Sequence, residues 1–586
     1  MKGKIFAFSF ILILIIGFFT VFPDLSETRN YEENERTAVF EGVVYCLAED
    51  GESYYVKDFF ATDELAETAT KIVMVSEIEG KPVKGIDVDY LFNESYPYVD
   101  IVTVPEGIVY IGEKAFSALD GVKKIKLPET VTEIGKGAFS NMDSLTEVTL
   151  SSAITRIPEE LFLSSSRLVS VKVGGEITEI GAYAFAGCRR LPSFEIPESV
   201  TFIGEAAFRS TGLTEVFIPS RVSFADESEG YSCFKDCSAL KRVEFGKRKE
   251  DKFVLDEYFF SGCSSLEEVI LPDTEEIIIY EGAFENCTNL KRIENAENIS
   301  ILGSRAFYNC GLETFSLPSD TEYKNPDSGE AAVSVFEKSE KLKRVVFEGE
   351  TESFVLPEKM FKDCTSLSRV MLPLTEKGIT VSEKAFYGCR SLLGVYNTAT
   401  VCSVGKEAFS GCESLEKFVL PERVTVLPEK IFYGCRRLRR VYLHKSIEKI
   451  EGGAFGKCEK LIAVHYEGTA DSYGDLRGSG GDSVKSKLLA ESENYPLLSN
   501  VRTEITPESA KLTWDRDERA KGYRVYRIDG LTLKKVADIK ETEYVFENLV
   551  PGQDYMFSVC AFYREDGEKQ LSPQKEIVAV TAEGRR

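Results

Sequence analysis

The phrase Ala-Phe-x-x-Cys-x-x-Leu-x-x-Val recurs through this chain at a nearly constant spacing, and a fixed period of that size confines the polypeptide to a solenoid. It is plainest over Val401–Gly468, where Phe409, Phe432 and Phe455 stand 23 residues apart. The aromatic position runs back through Phe386, Phe361, Phe336, Phe307, Phe284, Phe260, Phe234, Phe208, Phe185, Phe162, Phe139 and Phe116, giving fifteen copies spaced 23 to 29 residues. One copy cannot bury its own Phe, Leu and Val. Stacked copies can, at ~1.5–3 kcal/mol per large apolar side chain, so the core is continuous and its ends need caps. In a copy such as Val131–Leu150, Leu145-x-x-Val148-x-Leu150 predicts a short strand with Val148 and Leu150 inward. Pro closes it in most copies, as Pro128 and Pro421 do. Thr132 to Gly135 predict a second extended piece, and the chain then turns around Phe139.

Fifteen in-phase copies of this phrase, over residues 99–468, resemble the BspA-like, or Treponema-type, leucine-rich repeats. The resemblance implies a curved leucine-rich repeat solenoid, export from the cell, and a role in binding or adhesion. It implies no particular ligand. Residues 38–98, with strand patterns at Phe40–Tyr45, Ile72–Val75 and Gly80–Gly85, resemble the module that precedes the first repeat in that family and would cap the open end of the stack.

After Tyr466 the phrase stops. Residues 469–500 contain Gly478-Ser-Gly-Gly481 and read as an exit cap and linker. From Val501 the period changes to two: Ala510, Leu512 and Trp514 alternate, as do Tyr523 and Val525, before Leu549-Val-Pro-Gly-Gln-Asp-Tyr555 and Phe557 to Ala561. That pattern predicts an antiparallel β-sandwich over 501–582. It resembles a fibronectin type III domain, with Trp514 on an early core strand and Leu549 to Tyr555 as the tyrosine corner. There is no Arg-Gly-Asp triplet, so an integrin-binding loop is not implied.

At the other end, Lys2 and Lys4 precede Ile5–Phe22, eighteen residues without a charge. A basic start and an apolar run form an export signal. As a helix the run measures ~27 Å against a hydrocarbon core of ~30 Å, and no Ala-x-Ala-like cleavage site follows, which favours an uncleaved membrane anchor over a removed signal peptide. Residues 23–37 read as a polar tether. Interruptions of the period at Ala225–Gly230, Lys247–Lys252 and Ser319–Glu330 read as loops on one side of the stack.

The formal charge of −25 argues against a nucleic-acid partner. Ten of the fourteen cysteines lie three residues after the anchor Phe, where other copies carry Leu119, Met142, Ser165, Thr211 or Ser339. That interchange marks small core filler rather than disulfides or metal ligands. Cys233 with Cys237 is the one local pair to test for a bridge. The only histidines, His444 and His465, are not in metal-ligand spacing, and no nucleophile elbow, phosphate loop or calcium loop occurs. No catalytic, metal or cofactor residue is therefore nominated.

What remains is the outward face of the first strand, conventionally the concave face of such a solenoid. The residue after Val turns apolar and aromatic toward the C-terminal half, with Met371, Tyr396, Tyr442 and His465, while the residue before it reads Arg344, Arg369, Lys417 and Arg440. A basic row beside an apolar row is unexpected on so acidic a chain. Arg344, Arg369, Met371, Tyr396, Lys417, Arg440, Tyr442 and His465 are accordingly the candidate binding face for an acidic extracellular protein or glycan. The competing explanation is that Glu348 and Glu416 neutralise the row. Recognition or adhesion is the favoured function. An architectural envelope protein without a selective ligand, or a hydrolase with a hidden carboxylate site, are the alternatives.

Overall fold

A computed structural model describes residues 36–88, 96–117, 119–225, 232–247, 250–467, 488–490, 498, 501–506, 508–529, 532–550, 555–565, 568–572 and 575–577. The apolar run at 5–22, the tether before residue 36, the insertion at 226–230 and most of 469–500 lie outside them.

Equal spacing of the repeat phrase lets each strand pair with its counterpart one copy away. Glu147–Thr149 lies parallel to Lys124–Lys126 on one side and Ser170–Lys172 on the other, with Val148 opposite Ile125 and Val171. The Thr-x-Ile-Gly pieces form a second parallel ribbon, as where Glu179–Ile180 sits between Arg156–Ile157 and Phe202–Ile203. The glycine after Ile is required by close approach: a Cβ on Gly204 would stand 2.4 Å from the Ala182 nitrogen of the preceding copy. Between the ribbons the anchor rings stack. Phe185, Phe208 and Phe234 are fully buried, with successive ring centroids 5.2 and 5.3 Å apart and ring planes nearly parallel.

All fourteen cysteines are free thiols, Cys233 and Cys237 included. The ten in the repeat position do more than fill space. Each thiol points at the carbonyl of the anchor Phe in the preceding copy, as Cys412 does toward Phe386 (3.3 Å), Cys435 toward Phe409 (3.1 Å) and Cys458 toward Phe432 (3.1 Å). Ser165 and Ser339 donate to Phe139 and Phe307 in the same way, at 2.7 and 2.8 Å. The interchange of Cys with Ser thus follows from a shared hydrogen bond between copies as well as from size.

At the N-terminal end, Thr37–Phe40, Val43–Leu47 and Tyr54–Asp58 form antiparallel pairs. Lys81–Ile86 then pairs in parallel with both Tyr54–Asp58 and Tyr110–Ile111, so this sheet runs on into the second ribbon. At the other end Leu488–Ala490 adds a parallel strand to Ala463–Tyr466. The repeat phrase does not extend over residues 469–500, and backbone pairing with the last repeat does not need it, so the strand carries no signal in the sequence. Beyond it, Arg502–Thr506, Ser509–Thr513 and Glu543–Glu547 make one antiparallel sheet. Gly522–Asp529, Thr532–Ile539, Met556–Glu565, Glu568–Leu571 and Lys575–Ile577 make the other. Leu512, Trp514, Tyr523, Phe546 and Phe557 fill the space between, and the Val550 amide donates to the Tyr555 hydroxyl at 2.8 Å, closing the expected tyrosine corner.

Candidate functional site

The first ribbon is interrupted, and the interruptions shape its face. Pro192 has no N–H to donate to the preceding copy, and the ladder stops after Ser170–Lys172. The other two breaks have a different cause. Where other copies carry Leu271 or Leu372, the chain places Asn295 and Asn397, both left-handed at φ 63° and 66°. Each leads into a 3₁₀ turn, Ala296–Asn298 and Thr398–Thr400, and each side-chain amide donates back to the Leu271 or Leu372 carbonyl, at 2.8 and 3.0 Å. A left-handed residue cannot extend a strand. Arg292–Glu294 therefore does not pair with Thr314–Pro318, nor Gly394–Tyr396 with Lys417–Val419. A cleft opens at each break. The first, about 990 Å³, is lined by Arg292, Phe315, Ser316, Arg344, Val346 and Glu348. The second, about 720 Å³, is lined by Tyr396, Lys417, Phe418, Arg440 and Tyr442.

Five of the eight candidate residues thus border clefts, and Arg369 and Met371 lie on the strand between them. Arg344 stands in register with Arg369, and Val346 with Met371. Elsewhere the basic side chains of this ribbon pair across strands: Lys124 with Glu147 at 2.8 Å, Arg242 with Glu268 at 3.1 Å, and Arg292 with Glu268 at 3.5 Å. Arg344 and Arg369 make no ion pair among the described residues, and the Arg369 Nε is buried without an acceptor. Glu348, a candidate neutraliser, instead accepts a hydrogen bond from the Ser316 hydroxyl.

The C-terminal half of the row is different. The sequence pattern predicts a solvent-facing row, yet Met371, on the strand beside Arg344, is only 6% exposed, and Tyr442 and His465, farther along, are 3% and 1% exposed. At Tyr442 the cause is the rest of the chain. The sandwich domain is seated there. The Lys417 ammonium donates to the Ser572 carbonyl at 2.9 Å, Tyr442 packs against Tyr563, and Lys569 and Leu571 form the far wall of the second cleft. On the strand Met556–Glu565, Val559 and Ala561 point into the sandwich core, so Ser558 and Cys560 face the other way; they are buried all the same. Beneath, the rings of Tyr442 and His465 stack at 4.8 Å, with the Lys417 ammonium 5.2 Å from the Tyr442 centroid.

Burial here acts on charge. Lys417 is pushed down to about 8 by desolvation, with Arg440 pressing the same way and Cys560 opposing. His465 is pushed down to about 4 by burial and by Arg440 and Lys417, and the Cys560 thiol is pushed up to about 11, again by burial first. His444 is held by backbone: Ser446 N donates to its Nδ1 at 3.1 Å, which leaves Nε2 to donate to Val424 O at 3.0 Å. Among the described residues, no three His, Cys, Asp or Glu side chains gather as a metal site. Nor is any described helix long and apolar enough to cross a membrane.

Sequence reasoning missed both clefts and the seating of the sandwich. The clefts had a signal, Asn295-Ala-Glu-Asn298 and Asn397-Thr-Ala-Thr400 standing where other copies read Leu and Pro.

Comparison with known proteins agrees with this architecture. The BspA type leucine rich repeat region matches in overlapping blocks from residue 88 to 475, and the fibronectin type III domain matches 496–577. The crystal structure of a leucine-rich repeat protein from Bacteroides ovatus is 24% identical with a TM-score of 0.52, covering 77% of this chain and 99% of its own. A leucine rich cell surface protein from Faecalibacterium prausnitzii is 19% identical (TM-score 0.37; 77% of this chain, 100% of its own). A leucine rich repeat protein from Treponema pallidum is 22% identical (TM-score 0.25; 43% and 88%). No curated protein sequence matches the chain. The repeats span well over half of the polypeptide, and the chain belongs to the BspA-type leucine-rich repeat proteins, with a fibronectin type III domain following the solenoid.

Proposed function

We propose that this chain is a cell-surface recognition or adhesion protein that receives an acidic partner, a protein segment or a glycan, on the first ribbon around Arg344 and Arg369. One observation carries the reading. Two arginines stand side by side in register with no ion pair among the described residues, on a chain of formal charge −25. Like charges directly opposite on neighbouring strands repel, and an acidic partner relieves the repulsion while filling the bidentate geometry that arginine offers. Half-buried Val346 and Tyr396 lie on the same ribbon as apolar contact area, with buried Met371 between them. The export that this role needs rests on Lys2, Lys4 and the apolar run at 5–22, as signal or anchor.

The test is binding of purified residues 38–586 to a panel of extracellular proteins and glycans at two salt concentrations. Saturable binding, weakened by salt and lost when Arg344 and Arg369 are both changed to Glu, is the expected result. Binding indifferent to salt and to the double variant would refute the site, and no binding at all would favour an architectural role.

A further inference from the structure

We propose that the second cleft binds a carboxylate-bearing sugar residue, of the uronate or sialate class, at a site built jointly by the solenoid and the seated sandwich. The cleft holds about 720 Å³, room for a sugar ring or two. Its walls are of two kinds. Leu415, Phe418, Leu420 and Tyr396 supply apolar and aromatic surface, which suits the C–H face of a pyranose. Lys417, Arg439 and Arg440 from the solenoid and Lys569 from the sandwich bring four cationic groups, against the two carboxylates of Glu416 and Glu422. Lys569 has a carboxylate of its own in Asp538, 3.6 Å away. Lys417 and Arg439 make no ion pair among the described residues.

Lys417 is the group that asks for an anion. An ammonium carries three donors, and among the described residues this one makes a single hydrogen bond, to the Ser572 carbonyl. The groups facing it are Arg440 and Tyr442 from the next strand, His465 from the strand beyond, and Cys560 and Ser572 from the sandwich. Among the described residues none of these is a carboxylate, and neither Glu416 nor Glu422 of the cleft lining forms an ion pair with it. Withdrawal from water without a counter-ion is what drives its proton affinity down. A carboxylate entering the cleft supplies the missing charge, and a neutral sugar of the same shape does not. Because Lys569 and Leu571 belong to the sandwich, such a ligand binds only the seated arrangement and therefore strengthens it. This site is independent of the partner assigned to Arg344 and Arg369.

The test is calorimetric titration of the full chain at pH 8 with glucuronate, galacturonate and N-acetylneuraminate, with glucose as the neutral control. Two buffers of different ionisation enthalpy count the protons. The expected result is saturable binding of at least one acidic sugar and none of glucose, with uptake of up to about half a proton as the anion restores the Lys417 charge. Lys417→Met, close in volume, is expected to bind at least about tenfold more weakly and take up none. Lys569→Ala, at the exposed wall, is expected to weaken binding without touching the core, and Arg369→Ala to leave it unchanged. Failure of all three acidic sugars to bind would overturn the proposal, as would a Lys417→Met chain that binds with wild-type affinity and proton uptake.

Discussion

Seating of the sandwich on the solenoid depends on pH, and the direction follows from two groups that face each other. Lys417 falls from its ordinary 10.5 to about 8 when covered, so between those values the unseated chain holds more protons and seating strengthens as pH rises. Cys560 rises from 9.0 to about 11, so its neutral form favours seating, which weakens as pH rises through 9. From pH 7 to 9 the lysine tightens seating about tenfold, ~1.4 kcal/mol, and the thiol loosens it about twofold, for a net gain of roughly fivefold. Lys417→Met removes the first effect and keeps the second, so the slope should reverse to a loss of about twofold. At pH 7 the same variant escapes ~3.4 kcal/mol of desolvation and loses a charged hydrogen bond of ~1.5–3 kcal/mol, which leaves it seated somewhat more tightly than wild type. Energy transfer between a dye on the exposed Cys402 and one at the outer edge of the sandwich reads the seated fraction, in enough urea to balance the equilibrium. A wild-type fraction independent of pH, or a Met variant with the wild-type slope, would refute the electrostatic account of the seam.

His465 makes a second pH signature at lower values. Its affinity is depressed from 6.5 to about 4, so the C-terminal end of the solenoid should lose stability as pH falls through that window, by up to ~3 kcal/mol, and His465→Gln should flatten the profile in thermal melts. In the cysteine ladder, Cys412→Thr and Cys412→Val differ in one hydroxyl. Val should be less stable than Thr by ~0.5–1.5 kcal/mol in denaturant titrations, the net worth of a bond to the Phe386 carbonyl. Mass spectrometry after brief maleimide treatment should find Cys402 modified first, half-buried Cys46 more slowly, and the ladder thiols only in denaturant, since burial bars the reagent and also keeps thiols such as Cys188 and Cys412 protonated.

The fold was legible wherever one physical requirement repeats. Each anchor Phe must meet another at about 5 Å, so the sequence spells the requirement at every copy, and the stacked rings are where the phrase put them. The sandwich was legible for the same reason at a shorter period, with Trp514 and Tyr555 as fixed points. The clefts were harder because one substitution, Leu to Asn, opens each, and a single residue does not stand out against a repeat that tolerates variation. Seating of the sandwich could not be read at all. Lys417 and Ser572 are 155 positions apart, and their meeting depends on how two finished surfaces match.

That meeting changes what the candidate row means. The drift toward apolar and aromatic residues after Val, which looked like a ligand surface along its whole length, has two explanations in one ribbon. At Tyr442 and His465 the partner is the chain itself, and their burial accounts for their character without any external ligand. The basic residue on the same stretch, Lys417, gives one of its three donors to Ser572, and its charge is left to the second cleft. At Arg344 and Arg369 no such acceptor exists among the described residues, and the neighbouring Glu348 is turned toward Ser316. The two halves of one pattern are therefore separated by what covers them: the sandwich packs on Lys417 and Tyr442 and leaves the second cleft as the way in, while Arg344 and Arg369 stand on the stretch where a foreign acidic partner would have to fit.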